Sequence, residues 1–85
     1  MEGPIESKIE RILLDDLGVS PDLVHAGYLF SGAELDSFDR IRLVELLQER
    51  FEIQIDWSAV IPENFDSISA MVQLIRTIQM NRVDT

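Results

Sequence analysis

The chain has 85 residues, of which 46% are hydrophobic and 27% are charged. This length corresponds to one domain, and the composition is that of a folded globular protein, outside the disordered range. Sixteen acidic against seven basic residues give a net charge of -9, which repels nucleic acid and anionic membrane surfaces. The absence of cysteine excludes disulfides and thiolate metal sites, so we expect a cytoplasmic protein.

The first predicted helix runs from about Ile5 to Leu17. Its apolar residues recur at the one-sided spacing of an amphipathic helix: Ile5, Ile9, Ile12, Leu13 and Leu17. Gly18 follows as a C-terminal cap, because glycine adopts positive φ without steric cost, and Pro21 opposes a restart of the helix. No apolar stretch approaches the roughly 18 to 20 residues of a membrane span, so we expect no membrane insertion.

Residues 18–36 show no sustained periodicity and are predicted to form a long loop. A connection of this length is uncommon in a compact domain and is usually functional. We expect its large apolar side chains to anchor it across the helices: Leu23, Tyr28, Leu29, Phe30 and Leu35.

A second helix is predicted from Ser37 to about Phe51, with Asp36 as its N-cap. One side of this helix carries the apolar residues Leu43, Val44, Leu47 and Phe51. Three further apolar residues then alternate with polar ones: Ile53, Ile55 and Trp57. Because no second strand is available to pair with this segment, we interpret it as an extended loop with three inward anchors.

The last third of the chain predicts one helical turn at most near Pro62, and then a final helix. Asp66 or Ser67 caps this helix, which runs to about Met80 and is followed by a frayed tail over residues 81–85. Its apolar residues are Ile68, Met71, Val72, Ile75 and Ile78. The predicted fold is an all-α four-helix bundle in a single domain, residues 1–85, with three long helices, one short one and a long first loop.

The second helix also presents residues away from its buried side. At 100° per residue, Phe38, Arg42, Glu45 and Glu49 project outward and Ile41 lies at the boundary. This predicts a partner-docking patch formed by Phe38, Ile41, Arg42 and Glu45. The alternatives are that Phe38 packs under the loop as core and that Arg42 only pairs with Asp39 or Glu45 along the helix.

Arg40 falls near the buried side of the same helix. Its stem is expected to lie along apolar surface, with its head reaching water or Asp36, and it receives no functional role.

Ser37 is the candidate functional residue. A hydroxyl at a helix N-terminus beside a carboxylate, without a Gly-x-Ser-x-Gly turn, suits modification by another enzyme better than catalysis.

An enzyme would need His25, the only histidine, as its base. A calcium protein would need an EF-hand loop, which is absent, and we expect no metal site. The remaining alternative is an unmodified acidic helical interaction module in which Ser37 is only a helix cap.

The chain resembles the carrier-protein family, which includes acyl carrier proteins and their aminoacyl and peptidyl relatives. The resemblance rests on three segments: residues 35–39 (LDSFD), residues 41–47 (IRLVELL) and residues 51–55 (FEIQI). It implies a monomeric stand-alone carrier with 4'-phosphopantetheine on Ser37, joined through a phosphodiester by a phosphopantetheinyl transferase that uses coenzyme A. Asp36 would help that enzyme bind its metal and orient the hydroxyl. The thiol of the arm would hold an acyl or aminoacyl group as a thioester.

The sequence departs from the commonest family pattern. Phe38 replaces the usual leucine after the motif serine, as in some carriers similar to the D-alanyl carrier proteins. Arg40, Arg42 and Arg50 interrupt the acidic second helix that is typical of fatty-acid carriers. These differences favour a dedicated ligase and a dedicated transferase or synthase as partners. The cargo, acyl or aminoacyl, stays open, and a fatty chain would need an apolar cavity between the second and last helices.

Overall fold

The computed structural model describes residues 3–32 and 35–81. Its elements are helix α1 (Pro4–Arg11) with a π-helical turn (Ile12–Asp16), α2 (Ser37–Phe51), a 3-10 turn (Trp57–Ala59), α3 (Pro62–Phe65) and α4 (Ile68–Asn81). Within the described residues there is no strand. The predicted all-α bundle is therefore confirmed: α1 with its π turn, α2 and α4 are long, α3 is short, and a long loop follows α1. The predicted tail beyond Asn81 lies outside the described residues.

The end of the first helix is wider than the sequence predicts. Its last turn, Ile12–Asp16, is π-helical, and the N–H of Leu17 donates to the carbonyl of Ile12 at 3.0 Å. Gly18 then adopts a φ of 68° in the left-handed region. The predicted end near Leu17 and the capping role of Gly18 are confirmed, whereas the widening of the turn was not predicted.

The long loop between α1 and α2 packs across the bundle through buried apolar side chains: Val19, Val24, Leu29, Phe30 and Leu35. Leu23 packs against this cluster and is partly buried. The expectation that Tyr28 is an anchor is wrong, because 51% of its surface is exposed. Its carbonyl accepts the N–H of Gly32 at 2.8 Å, which closes a turn in which Leu29 and Phe30 point inward and Tyr28 stays outside.

Asp66, between α3 and α4, holds the middle of this loop. Its carbonyl oxygen accepts the N–H of Leu29 at 2.8 Å. Its carboxylate accepts the N–H of Phe30 at 2.9 Å, the N–H of Ser31 at 2.7 Å and the hydroxyl of Ser31 at 3.0 Å. The backbone N–H groups of three consecutive loop residues, 29–31, thereby have their hydrogen-bond acceptors in one residue, which is 35 positions away from Ser31.

The cap of α4 is Ser67, one of the two predicted residues. Its hydroxyl oxygen accepts the N–H of Ala70 at 3.0 Å, which leaves the Asp66 carboxylate for the loop. Helix α4 contacts α1 and α3 and buries the side chains of Ile68, Met71 and Ile75.

In the segment after α2, two of the three predicted anchors are confirmed. Ile53 and Ile55 are buried, but Trp57 is 62% exposed. The Asp56 carboxylate accepts the N–H of Ser58 at 2.9 Å, which turns the chain into the 3-10 turn and breaks the alternation before Trp57. The same hydrogen bond lowers the pKa of Asp56 below its usual value.

One apolar core lies between the helices and under the loop. Its fully buried members come from every helix and from the loop: Ile9, Ile12, Leu13, Leu29, Leu43, Val44, Leu47, Phe65, Met71 and Ile75. No helix in the described part of the chain is long and apolar enough to cross a membrane.

Replacing Gly32 with alanine is expected to destabilise the fold, because a Cβ atom there would lie 2.7 Å from the carbonyl oxygen of Tyr28 and 2.9 Å from its Cδ1. We expect a loss of about 1–3 kcal/mol in the free energy of unfolding, measured by urea denaturation. Gly27→Ala is the matched control, since its Cβ would meet nothing within 4 Å, and it should change stability by less than about 1 kcal/mol. Equal effects of the two substitutions would contradict this role of Gly32.

Candidate functional site

Ser37 is the first residue of α2, and its side chain is exposed. Asp36 precedes it with an extended backbone (φ -83°, ψ -177°), and its Oδ1 accepts the N–H of Asp39 at 2.8 Å. The predicted role of Asp36 as the N-cap is confirmed. Ser37 is therefore free of capping and stands in solvent at the start of a 15-residue helix.

The N-terminal end of α2 is suited to hold an anion. Asp36 satisfies two of the first N–H groups, that of Asp39 through its carboxylate and that of Arg40 through its carbonyl at 3.0 Å. Within the described residues, the N–H groups of Ser37 and Phe38 have no hydrogen-bond partner. These donors and the positive end of the helix dipole favour a phosphate ester on the Ser37 hydroxyl.

His25, the histidine that a catalytic serine would need as its base, is paired with another residue. Its Nε2 lies 3.0 Å from Glu10 Oε2, so His25 links the loop to α1. The described residues also contain no group of three or more His, Asp or Glu side chains that could hold a metal ion. The geometry around Ser37 supplies an accessible hydroxyl and anion-binding donors, which suit attachment of a phosphate ester by another protein.

The predicted docking patch is on the surface. Phe38 is 66% exposed and Ile41 is 46% exposed, so the alternative that Phe38 belongs to the core is wrong. Together with Arg42 and Glu45, at helical spacings of three and four residues, they form what we call the outer face of α2. The structure thus brings all four predicted partner residues together on one side of the helix that begins at Ser37.

Arg42 and Glu45 share a shallow depression on the outer face with Leu46 and Glu49. In the part of the chain that the structure describes, Arg42 forms no ion pair, so the predicted pairing with Asp39 or Glu45 is not observed. Glu49 was predicted to project outward, whereas Leu46 was missed. The spacing of Leu46, four residues after Arg42, was the signal in the sequence that could have added it.

Arg40 lies on the opposite side of α2 from Arg42. Its guanidinium carbon lies 5.2 Å from the ring centroid of Phe30, and its Nη2 donates to the carbonyl of Gly32 at 3.4 Å. Among the described residues, the contact with Asp36 that was considered for its head is not observed. The stem does lie inward as predicted, but the ring of Phe30 and a loop carbonyl take the head.

Comparison with known proteins agrees with this geometry. The chain matches the phosphopantetheine attachment site family over residues 7–75, a range that includes Ser37. It is 32% identical to an acyl carrier protein of Akkermansia muciniphila over 79 residues, which are 92% of this chain and 96% of that protein. No solved structure gives a significant match.

An exposed serine at the N-terminus of a capped helix thus lies within a match that spans most of the chain. The chain belongs to the acyl carrier protein family: it is a carrier that bears 4'-phosphopantetheine and is not an enzyme.

Proposed function

We propose that Ser37 carries the 4'-phosphopantetheine arm and that the protein presents an acyl or aminoacyl thioester to partner enzymes. The observation that carries this proposal is the exposed Ser37 hydroxyl, which lies beside the Asp36 carboxylate at the start of α2. When attached, the arm supplies the thiol that this cysteine-free chain lacks. The free N–H groups of Ser37 and Phe38 would bind its phosphodiester.

Asp36 can serve as a cap and as a recognition element at the same time. Only its Oδ1 is used by the N–H of Asp39, and among the described residues its Oδ2 has no partner. One carboxylate oxygen therefore fixes the helix start while the other is open to the metal ion of a phosphopantetheinyl transferase. Both of the roles considered for Asp36 are compatible with one conformation.

The outer face of α2 is the proposed contact for a dedicated acyl or aminoacyl ligase and for the transferase or synthase that accepts the cargo. Phe38 and Ile41 supply exposed apolar anchors, whereas Arg42 and Glu45 supply charges of both signs. Apolar anchors contribute most of the affinity of an interface, and charges at its rim set orientation and encounter rate. A face with charges of both signs favours partners whose own surface carries both charges over partners that recognise a purely acidic helix.

The proposed working form is a monomeric single domain over residues 1–85 in the cytoplasm. A carrier whose arm ends in a free thiol needs a reducing compartment, and the absence of cysteine in the chain fits one.

Incubation with coenzyme A and a broad-specificity phosphopantetheinyl transferase should add the mass of one phosphopantetheine, measured on the intact protein. Ser37→Ala should abolish this gain and change the free energy of unfolding by less than about 0.5 kcal/mol, because Asp36, not Ser37, is the cap. Ser69→Ala, an exposed serine in the first turn of α4, is the matched control and should load normally. A chain that gains no mass would be the unmodified interaction module instead.

Two substitutions at Asp36 should separate its roles. Asp36→Asn keeps a capping oxygen, so stability should stay within about 1 kcal/mol of the wild type while the initial rate of arm loading falls at least tenfold. Asp36→Ala should lose loading and also about 1 kcal/mol of stability. Denaturant unfolding and a timed mass assay measure the two effects. Wild-type loading of Asp36→Asn would reduce Asp36 to a cap.

Charge reversal on the outer face should weaken recognition by the partner that loads the cargo. Arg42→Glu or Glu45→Lys is expected to lower kcat/KM of that ligase by about tenfold, equivalent to roughly 1.4 kcal/mol, with less effect on arm loading. Arg76→Glu, an exposed arginine on α4, is the control and should leave both reactions unchanged. If Arg42→Glu lowered kcat/KM of the ligase and the rate of arm loading by the phosphopantetheinyl transferase equally, this result would contradict a partner-specific patch.

A further inference from the structure

Arg40 lies between Ser37 and the apolar core. At 100° per residue it is about 60° around the helix from Ser37 and roughly 4.5 Å along the axis. This direction falls between those of Leu43 and Val44, which are both fully buried. Arg40 therefore occupies the core-facing position of α2 that is nearest to the attachment serine.

The head of Arg40 is held in this position by a stack of three side chains. Its guanidinium lies over the ring of Phe30 at 5.2 Å, and the ring centroid of Phe65 of α3 is 5.3 Å from that of Phe30, with the two rings tilted by 33°. The Nη2 also donates to the carbonyl of Gly32. We call this arrangement, which spans from the first turn of α2 across the loop to α3, the Arg40 stack.

Two buried aromatic side chains occupy the interior of the bundle at this end. Phe65 is fully buried and Phe30 is nearly so. The Arg40 Nε is itself buried, and within the described residues it has no hydrogen-bond partner. A buried cationic group of this kind is costly to surround with further apolar material, because the guanidinium would lose the water that still reaches its other nitrogens.

These contacts decide where a cargo on Ser37 can go. A long alkyl chain gains free energy only if it leaves water for an apolar space. To enter the core beside Ser37 it would have to displace the Arg40 stack, that is, break the Phe30 contact and the Gly32 hydrogen bond. A short or polar group has no such gain to make and stays in solvent.

We propose that the Arg40 stack closes the interior of the bundle to the cargo, and that this carrier holds a short or polar acyl group, aminoacyl groups included, that remains outside the protein. This inference rests on the proposed attachment at Ser37. It selects a cargo class for that site and assigns a role to the arginine that faces inward.

The test compares two cargoes on the same protein. Acetyl- and octanoyl-coenzyme A, used with a broad-specificity phosphopantetheinyl transferase, should each give one mass addition, and failure at this step would overturn the Ser37 proposal itself. The two loaded forms are then compared by thermal unfolding and by the rate at which hydroxylamine cleaves the thioester. We expect midpoints within about 2 °C of each other and cleavage rates within about twofold, because neither cargo is sheltered.

Substitution of Arg40 should open the interior. In Arg40→Ala, the octanoyl form is expected to melt about 4–8 °C above the acetyl form and to be cleaved at least about fivefold more slowly, as the chain enters the vacated space. Arg76→Ala, an exposed arginine on α4, is the matched control and should behave as the wild type. If Arg40→Ala does not fold, Arg40→Leu keeps the apolar stem against Phe30, removes the charged head and should show the same protection.

Two results would overturn the inference. The first is protection of the octanoyl thioester in the wild-type protein, a comparison that needs no substitution. The second is a folded Arg40 variant, Ala or Leu, in which the octanoyl and acetyl forms remain equally exposed to hydroxylamine.

Discussion

The hydrogen bonds between Asp66 and the long loop are the constraint on which the rest of the structure depends. A connection this long loses much conformational entropy when it becomes ordered, at roughly 1–2 kcal/mol per residue. Asp66 offsets part of that cost with four hydrogen bonds to Leu29, Phe30 and Ser31, three of them to a charged carboxylate and therefore stronger than neutral ones. The loop can then bury Leu29 and Phe30, and it reaches α2 from a defined position.

The start of α2 is built on this anchored loop. Phe30, whose N–H is bound by Asp66, contacts both Phe65 of α3 and the guanidinium of Arg40 in the first turn of α2. Ser37 therefore stands on a helix whose first turn is packed against the loop and, through it, against the junction of α3 and α4. Such support from rigid elements would hold the arm proposed on Ser37 in one orientation for its partner enzymes.

Three parts of helix α2 have different roles in the structure. Its inner side supplies core residues, its N-terminal end supplies the exposed hydroxyl and the free N–H groups, and its outer face exposes Phe38 and Ile41 with charges of both signs. The two arginines near its start show how sharply these sides differ. Arg42 faces outward beside Glu45, whereas Arg40, two residues earlier, is stacked inward on Phe30.

The sequence by itself determined the approximate bounds of α2 and α4, the cap at Asp36 and the position of Ser37, because these follow from short-range spacing and from hydrogen bonds within a few residues. The direction of Arg40, the exposure of Trp57 and Tyr28 and the role of Asp66 were decided only by the tertiary structure. Each depends on contacts with a distant segment or on a turn that interrupts a local pattern. Periodicity shows which side of a helix is apolar, but it cannot show which ring or carbonyl will meet a long side chain there.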